Sequence, residues 1–325
     1  MNRSIVLGMM CLIASISFGQ LQHSEDLNEF MFTETVVQDA PADTSWKKGG
    51  LFALNFGQVA FNNWAAGGVN SVSGIALVNL FANMTKGKST WDNTLDLAYG
   101  QLKQKNLDAV KSDDKIDLSS KYGYQAWSDK WYYSGLLNFK TQFAEGLNPD
   151  NGSRISDLLA PAYVLFALGA DYKPNDKFSA FISPVTAKWT IVTDQDLADV
   201  GAFGVQGAAF DDSGAMINEG ENSRSEFGAY ARAQFQDDLM ENVNFLTRME
   251  LFQNYDTFGL VDVNWEALLG LKVNKYISAT VGAQMLYDHD ILILKDADPA
   301  EGNPGGFGRT AQFKETLNLG FLYNF

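Results

Sequence analysis

The sequence predicts an all-β chain whose strands close into one transmembrane antiparallel up-and-down barrel of about twelve strands over residues 46–325. Three observations carry that prediction. Long segments alternate apolar and polar residues at period two. The connections between them are mostly short on one side and long on the other. The last residues, LNLGFLYNF, alternate to the end and finish on Phe325.

The first nineteen residues read MNRSIVLGMMCLIASISFG. Arg3 supplies a charged start, Ile5 to Ile16 a short apolar core, and Ser17 and Gly19 the small residues before a cut. This is the pattern of a cleaved signal peptide over residues 1–19, too short for a membrane anchor. Cys11 is the one cysteine of the chain and lies inside that leader, behind Met9 and Met10 rather than the small residues of a lipoprotein signal. The exported part therefore has no disulfide framework, thiolate metal site or thiol nucleophile. Residues 20–45 are acidic and lack a clear period, and are expected to form a flexible periplasmic tail.

Alternation defines the strands. Trp91, Leu95, Leu97 and Tyr99 share one face, with Asp92, Thr94 and Asp96 on the other. Ile116, Leu118, Tyr122 and Tyr124 oppose Lys115, Asp117, Ser119 and Lys121. Trp131, Tyr133, Leu137, Phe139 and Phe143 oppose Ser134, Asn138 and Lys140. Val263, Trp265, Ala267, Leu269 and Leu271 oppose Asp262, Asn264 and Glu266. Segments of about ten residues or more suit a tilted crossing of the hydrocarbon.

Short connections are expected at TKGK (85–88), WSDK (127–130), KPND (173–176), DDLMEN (237–242) and NK (274–275), and these would face the periplasm with both termini. Long outer loops are expected near 61–71, 103–114, 144–160, 190–222 and 289–310, with one short exception near 256–259. The terminal aromatic strand has the form of the signal read by the barrel-assembly machinery, and outer-membrane lipid is the other expected partner.

Composition narrows the function classes. A net charge of -15 argues against nucleic acid as a partner. The two histidines, His23 in the tail and His289 in the last outer loop, have no matching serine or acid arrangement for hydrolysis, so no enzyme, catalytic residue or cofactor is expected. Acidic pairs such as Asp194 with Asp196 and Asp199 lack the closing residues of a calcium loop, and no metal site is assigned.

Several blocks, NNWAAGG (62–68), KSDDKIDLSSKYGY (111–124), WYYSGLLNFKTQF (131–143), APAY (160–163), SPVTAK (183–188) and GAFGV (201–205), resemble an uncharacterised outer-membrane β-barrel family of Bacteroidetes, a domain of unknown function. The resemblance implies fold and location and supplies no substrate.

The inward face is expected to carry Asp92, Asp96, Asp117, Lys121, Lys140, Glu226, Arg232, Arg248, Glu250, Asp262 and Glu266. Trp91, Trp131, Tyr133, Trp189, Trp265 and Phe325 are expected in the membrane girdles. Trp64 reads as a girdle aromatic, or else as a stacking surface for a ligand. The inward charges have two readings, a salt-bridged filling or the lining of a water-filled path. The leading expectation is a passive channel or transport-related barrel for small solutes. The alternative is a non-conducting structural or adhesion-type barrel acting through its outer loops, and an outer-membrane hydrolase stands third.

Overall fold

The computed structural model describes residues 46–61, 69–148, 151–175, 177–274, 277–291, 293–295 and 306–325. The leader, the acidic tail and Trp64 lie outside the described residues, as do 292 and 296–305 of the last outer connection.

Strands are numbered along the chain, short hairpins included. The barrel strands are β1 (Trp46–Val59), β2 (Ser71–Lys86), β3 (Ser89–Gln104), β4 (Val110–Gln125), β5 (Trp131–Thr141), β8 (Ala162–Asn175), β9 (Phe178–Ile191), β12 (Ser223–Met240), β13 (Val243–Asn254), β14 (Val261–Lys272), β15 (Ile277–Tyr287) and β18 (Gln312–Asn324). They close in the order β1-β18-β15-β14-β13-β12-β9-β8-β5-β4-β3-β2, so each barrel strand pairs with its neighbours along the chain and β18 returns to β1. All pairs are antiparallel. This is the predicted architecture, a closed twelve-stranded up-and-down barrel. Among the described residues no helix is long and apolar enough to cross a membrane, which leaves the strands as the crossing elements.

The turns sort the two ends. The tight connections after β2, β4, β8, β12 and β14 all lie at the end where β1 starts and β18 finishes. The opposite end carries most of the longer connections, with further structure in three of them. Residues 142–161 hold the hairpin β6 (Gly146–Leu147) and β7 (Arg154–Ser156). Residues 192–222 hold helix α1 (Gln195–Asp199) and the hairpin β10 (Ala209–Phe210) and β11 (Met216–Asn218). The last connection holds β16 (Ile293–Lys295) and β17 (Gly306–Gly308).

One expected long loop is absent. β3 runs to Gln104 and β4 starts at Val110, so 105–109 alone connects them where 103–114 was expected. A register shift between Gly100 and Gln101 carries the pairing past the polar QLKQ sequence that reads as a loop.

Period-two alternation places each side chain. On β13 Leu246, Arg248, Phe252 and Asn254 are buried, and Met249 between them is exposed. Outward positions form an apolar belt that includes Phe52, Leu80, Leu118, Leu137, Phe166, Ile182, Phe227, Val281 and Leu317, all exposed. Such a belt has no place in water and fits hydrocarbon.

Candidate functional site

Every one of the inward charges read from the sequence lies on the buried phase of its strand. Asp96, Asp117, Glu226, Arg248 and Glu266 are only 2% to 5% exposed, far below what a water-filled bore would leave them. Each is delivered by a strand whose alternate residues face lipid, so the sheet itself aims them at one another.

The structure also resolves their partners, some reaching across the lumen. Lys140 on β5 lies 3.8 Å from Asp117 on β4 and 3.9 Å from Glu250 on β13. Three strands, β8, β9 and β12, separate β5 from β13 in the wall, so the second contact spans the interior. Glu250 also faces Arg232 at 3.8 Å. Asp92 meets Lys173 at 3.2 Å, and Lys121 meets Asp171 at 2.8 Å. Asp262 on β14 meets Lys188 on β9 at 3.2 Å, and Lys188 reaches Glu226 at 3.3 Å.

Amides complete the lattice. Asn79 donates to Asp96 at 2.6 Å, Asn138 to Asp117 at 2.7 Å, and Gln284 to Glu266 at 3.2 Å. Arg248 donates to the Gln234 side-chain oxygen Oε1 at 2.9 Å. Opposite charges held this way satisfy each other where water is scarce.

Apolar side chains on the inward phase form buried clusters beside these charges. Leu51, Ala53, Leu77 and Ala98 from β1–β3 pack with Leu246 and Leu268 from β13 and β14. Those two groups of strands are separated in the wall by β15 and β18, so this cluster also bridges the interior. Leu136, Ala167, Phe181, Tyr230 and Phe252 form a second cluster on β5, β8, β9, β12 and β13.

The outer mouth carries an ordered cap. Ala160, Val192, Leu197, Ala198 and Val205 pack together above the strands. Asp194 caps α1 by accepting from the Leu197 N–H at 3.0 Å and pairs with Arg154, which also holds Glu145 at 2.7 Å. Partial burial works against the Asp194 charge, but the Leu197 N–H and the Arg154 guanidinium outweigh it and hold this carboxyl below its ordinary value of 3.8. Arg224 ties two loops to the lumen. It donates to the Gly204 carbonyl at 3.1 Å, contacts Glu226 at 2.6 Å and pairs with Asp290.

Sequence reasoning missed Asp171, Lys173, Lys188 and Arg224, and the whole apolar part of the filling. His289 lies at this mouth, with Nδ1 3.3 Å from the Tyr287 hydroxyl. Among the described residues no group of three or more His, Cys, Asp or Glu is placed to hold a metal ion.

The aromatics named as girdle residues all sit on the outward phase. Trp91 pairs with Trp46 at 5.7 Å, Trp131 with Trp127 at 5.5 Å and with Tyr172 at 4.8 Å, and Tyr323 with Phe325 at 6.1 Å, all at the end with the tight turns. Tyr133 is beside Trp127 at 5.7 Å. Trp189 lies near the opposite end of β9, where Phe227 and Tyr255 also meet at 5.7 Å. Trp265 sits further within its strand, opposite Met249 and Met285, and its Nε1 donates to Thr247 Oγ1 at 3.0 Å.

Residues 56–147 match a family described as "Protein of unknown function (DUF3078)". A search of curated proteins finds no match. Among solved structures, the chain is similar to the translocator domain of autotransporter NalP from Neisseria meningitidis, at 13% identity and TM-score 0.34, covering 87% of this chain and 89% of that one. It is similar to an outer membrane channel from Pseudomonas putida F1, at 10% identity and TM-score 0.39, covering 88% and 99%. It is also similar to the outer membrane channel DcaP of Acinetobacter baumannii, at 9% identity and TM-score 0.30, covering 86% and 97%.

Proposed function

We propose that this protein is an outer-membrane barrel with an axially closed lumen, a non-enzymatic scaffold that works through its ordered outer loops. The observation that carries the reading is the bridging of the bore by Lys140–Glu250, Lys188–Asp262 and the Leu51–Leu246 cluster. A solute moving along the axis would have to displace half-buried ion pairs and packed leucines together, and separating such pairs is costly. The loop cap held by Arg154, Asp194 and Arg224 supplies the presented surface. Outer-membrane lipid is the partner of the apolar belt, and the aromatic β18 is the element that the assembly machinery would read.

Planar-bilayer recording of the refolded barrel tests this reading. The expected result is an inserted, folded and silent protein across salt conditions. Discrete conductance steps would overturn it in favour of a passive channel for small solutes, with Lys121, Lys140, Arg232 and Arg248 as its first selectivity residues.

A further inference from the structure

The seam between the first and last strands is only half closed. β1 pairs with β18 over five residues, from Leu51 with Asn324 to Asn55 with Gly320. Beyond Asn55, β1 continues to Val59 and stays paired to β2, Phe56 with Gly74 through Val59 with Ser71. β18 is likewise paired to β15 from Gly320 back to Gln312. Among the described residues, no backbone pair joins 56–59 of β1 to 312–319 of β18. Both strands are in the sheet, and the ladder between them is unmade on the half nearer the outer loops, an unpaired stretch called the slot here. The last closed pair marks where it begins. A Cβ on Gly320 would lie 1.8 Å from Asn55 Oδ1 and 2.6 Å from the Leu54 carbonyl oxygen, so Asn55 lies directly over Gly320.

The chemistry of the slot is two-sided. Outward, Phe56, Leu317 and Leu319 are 65%, 78% and 61% exposed in the belt that faces lipid. On the inward phase of β18 stand Thr316 and Asn318. Between them lie strand edges whose N–H and C=O groups have no strand opposite. Hydrocarbon offers such groups nothing, so an unfilled slot is unstable in a bilayer. Its occupant needs hydrogen-bonding atoms directed inward and an apolar body directed outward, which is the build of an acyl amphiphile.

We propose that the β1–β18 slot binds an acyl amphiphile from the membrane, with its polar head on the unpaired strand edges and Thr316 and Asn318, and its chain along Phe56, Leu317 and Leu319. This goes beyond the closed-lumen reading and does not depend on it, because the slot opens sideways.

Amide hydrogen exchange on the barrel in phosphatidylcholine nanodiscs tests the proposal, with oleate as the probe. The amides of Phe56, Gln58, Leu317 and Leu319, whose N–H groups point into the seam, are expected to exchange about ten-fold faster than those of Phe52, Leu54, Phe321 and Tyr323, and to slow when oleate is added. A chain begun at residue 20 has no native cysteine, so Gln58→Cys with Leu317→Cys can staple the slot shut. Oxidation should abolish oleate binding and reduction restore it. Slot amides as protected as the closed pairs without oleate would overturn the proposal. So would oleate leaving exchange unchanged, or binding equally to oxidised and reduced protein. Protection obtained with an added β-strand peptide and not with oleate would also overturn it, since the slot would then take a protein strand. Silence or conductance along the axis leaves each of these outcomes unaltered, so the two readings fail separately.

Discussion

Lys140 and Glu250 face each other across the inside of the barrel, Nζ to Oε2 at 3.9 Å, from strands that do not touch in the wall. Glu250 also compensates Arg232 at 3.8 Å. Glu250→Gln would remove a carboxylate shared by two half-buried cations, of which Lys140 keeps Asp117. The expected loss is about 1–2 kcal/mol of unfolding free energy, below the cost of breaking a fully buried pair from one side. Adding Lys140→Met should recover part of that loss. Urea unfolding of the vesicle-inserted protein reads both, and an unchanged midpoint for Glu250→Gln would show that the contact across the bore contributes nothing.

The β9 wall depends on Gly169. A Cβ there would fall 2.0 Å from the Ile182 carbonyl oxygen and 2.7 Å from its carbonyl carbon, both backbone atoms with no freedom to swing away. The closeness comes from an extra residue in β9, seen as a shift in its register with β8 between Leu168 and Ala170. Gly169→Ala is expected to cost about 2 kcal/mol through forced backbone movement. The heat-dependent gel shift of the folded barrel should move to lower temperature, whereas Gly74→Ala, whose added Cβ meets nothing nearer than 3.6 Å, should leave it in place.

That same bulge explains what the sequence hides. Where alternation is unbroken, as from Asp92 to Ala98 or Asp262 to Leu268, the inward face is readable residue by residue. In β9 the phase changes: Phe181 and Ser183 point inward, and beyond Pro184 so do Thr186, Lys188 and Thr190. A period-two reading carried through SPVTAK puts Lys188 on the wrong face, and it was missed. Partner choice is hidden for another reason. Which inward charge meets which depends on strand stagger around the closed sheet, so Lys140 and Glu250 could be named but not matched. The clustering of Leu51 with Leu246 is hidden likewise, because inward leucines on separate strands carry no mark of meeting.

The loop cap should be acid-sensitive in one direction. Asp194 is held below its ordinary value of 3.8 in the folded cap, although partial burial opposes this, because the Leu197 N–H and Arg154 favour its charged form. A depressed carboxyl stabilises the folded state above its unfolded value, and the contribution disappears as pH falls through the folded one. The cap should therefore hold at pH values above the ordinary carboxyl value of 3.8 and loosen as the pH falls below it. Exchange of the Leu197 and Ala198 amides measures this. Asp194→Asn keeps a side-chain oxygen for the cap and should flatten the pH dependence. A dependence that survives the substitution would assign it to another group.

Arg224 is expected to control how tightly the outer loops sit. It joins the Gly204 carbonyl of one loop and Asp290 of another to Glu226 in the bore. Arg224→Gln shortens the side chain and removes the charge, so both loops lose the same anchor. Protease nicking of 192–222 and of 288–311 on intact cells should rise together, by about ten-fold where local opening limits cleavage. A rise in one loop alone would mean that the loops are held independently.

The proposed closed lumen is tested most sharply at its apolar bridge. Leu51 is 2% exposed and Leu246 0%, and the two belong to one cluster drawn from strands with β14, β15 and β18 between them in the wall. Truncating a buried leucine to alanine removes volume that the neighbours only partly refill, at a cost of about 2–5 kcal/mol per site. On the proposed closed-lumen reading the lost volume would open the axial path, so Leu51→Ala with Leu246→Ala should create a gap there rather than a sealed cavity. The double variant is expected to pass ions in small discrete steps where the parent is silent, provided that its gel shift shows a folded barrel. If that variant misfolds, Leu246→Val alone should retain the fold and raise the frequency of brief openings. A folded double variant that stays silent would place the axial block in the ion-pair lattice around Lys140, Glu250 and Lys188, and Glu250→Gln would then be the substitution that opens it.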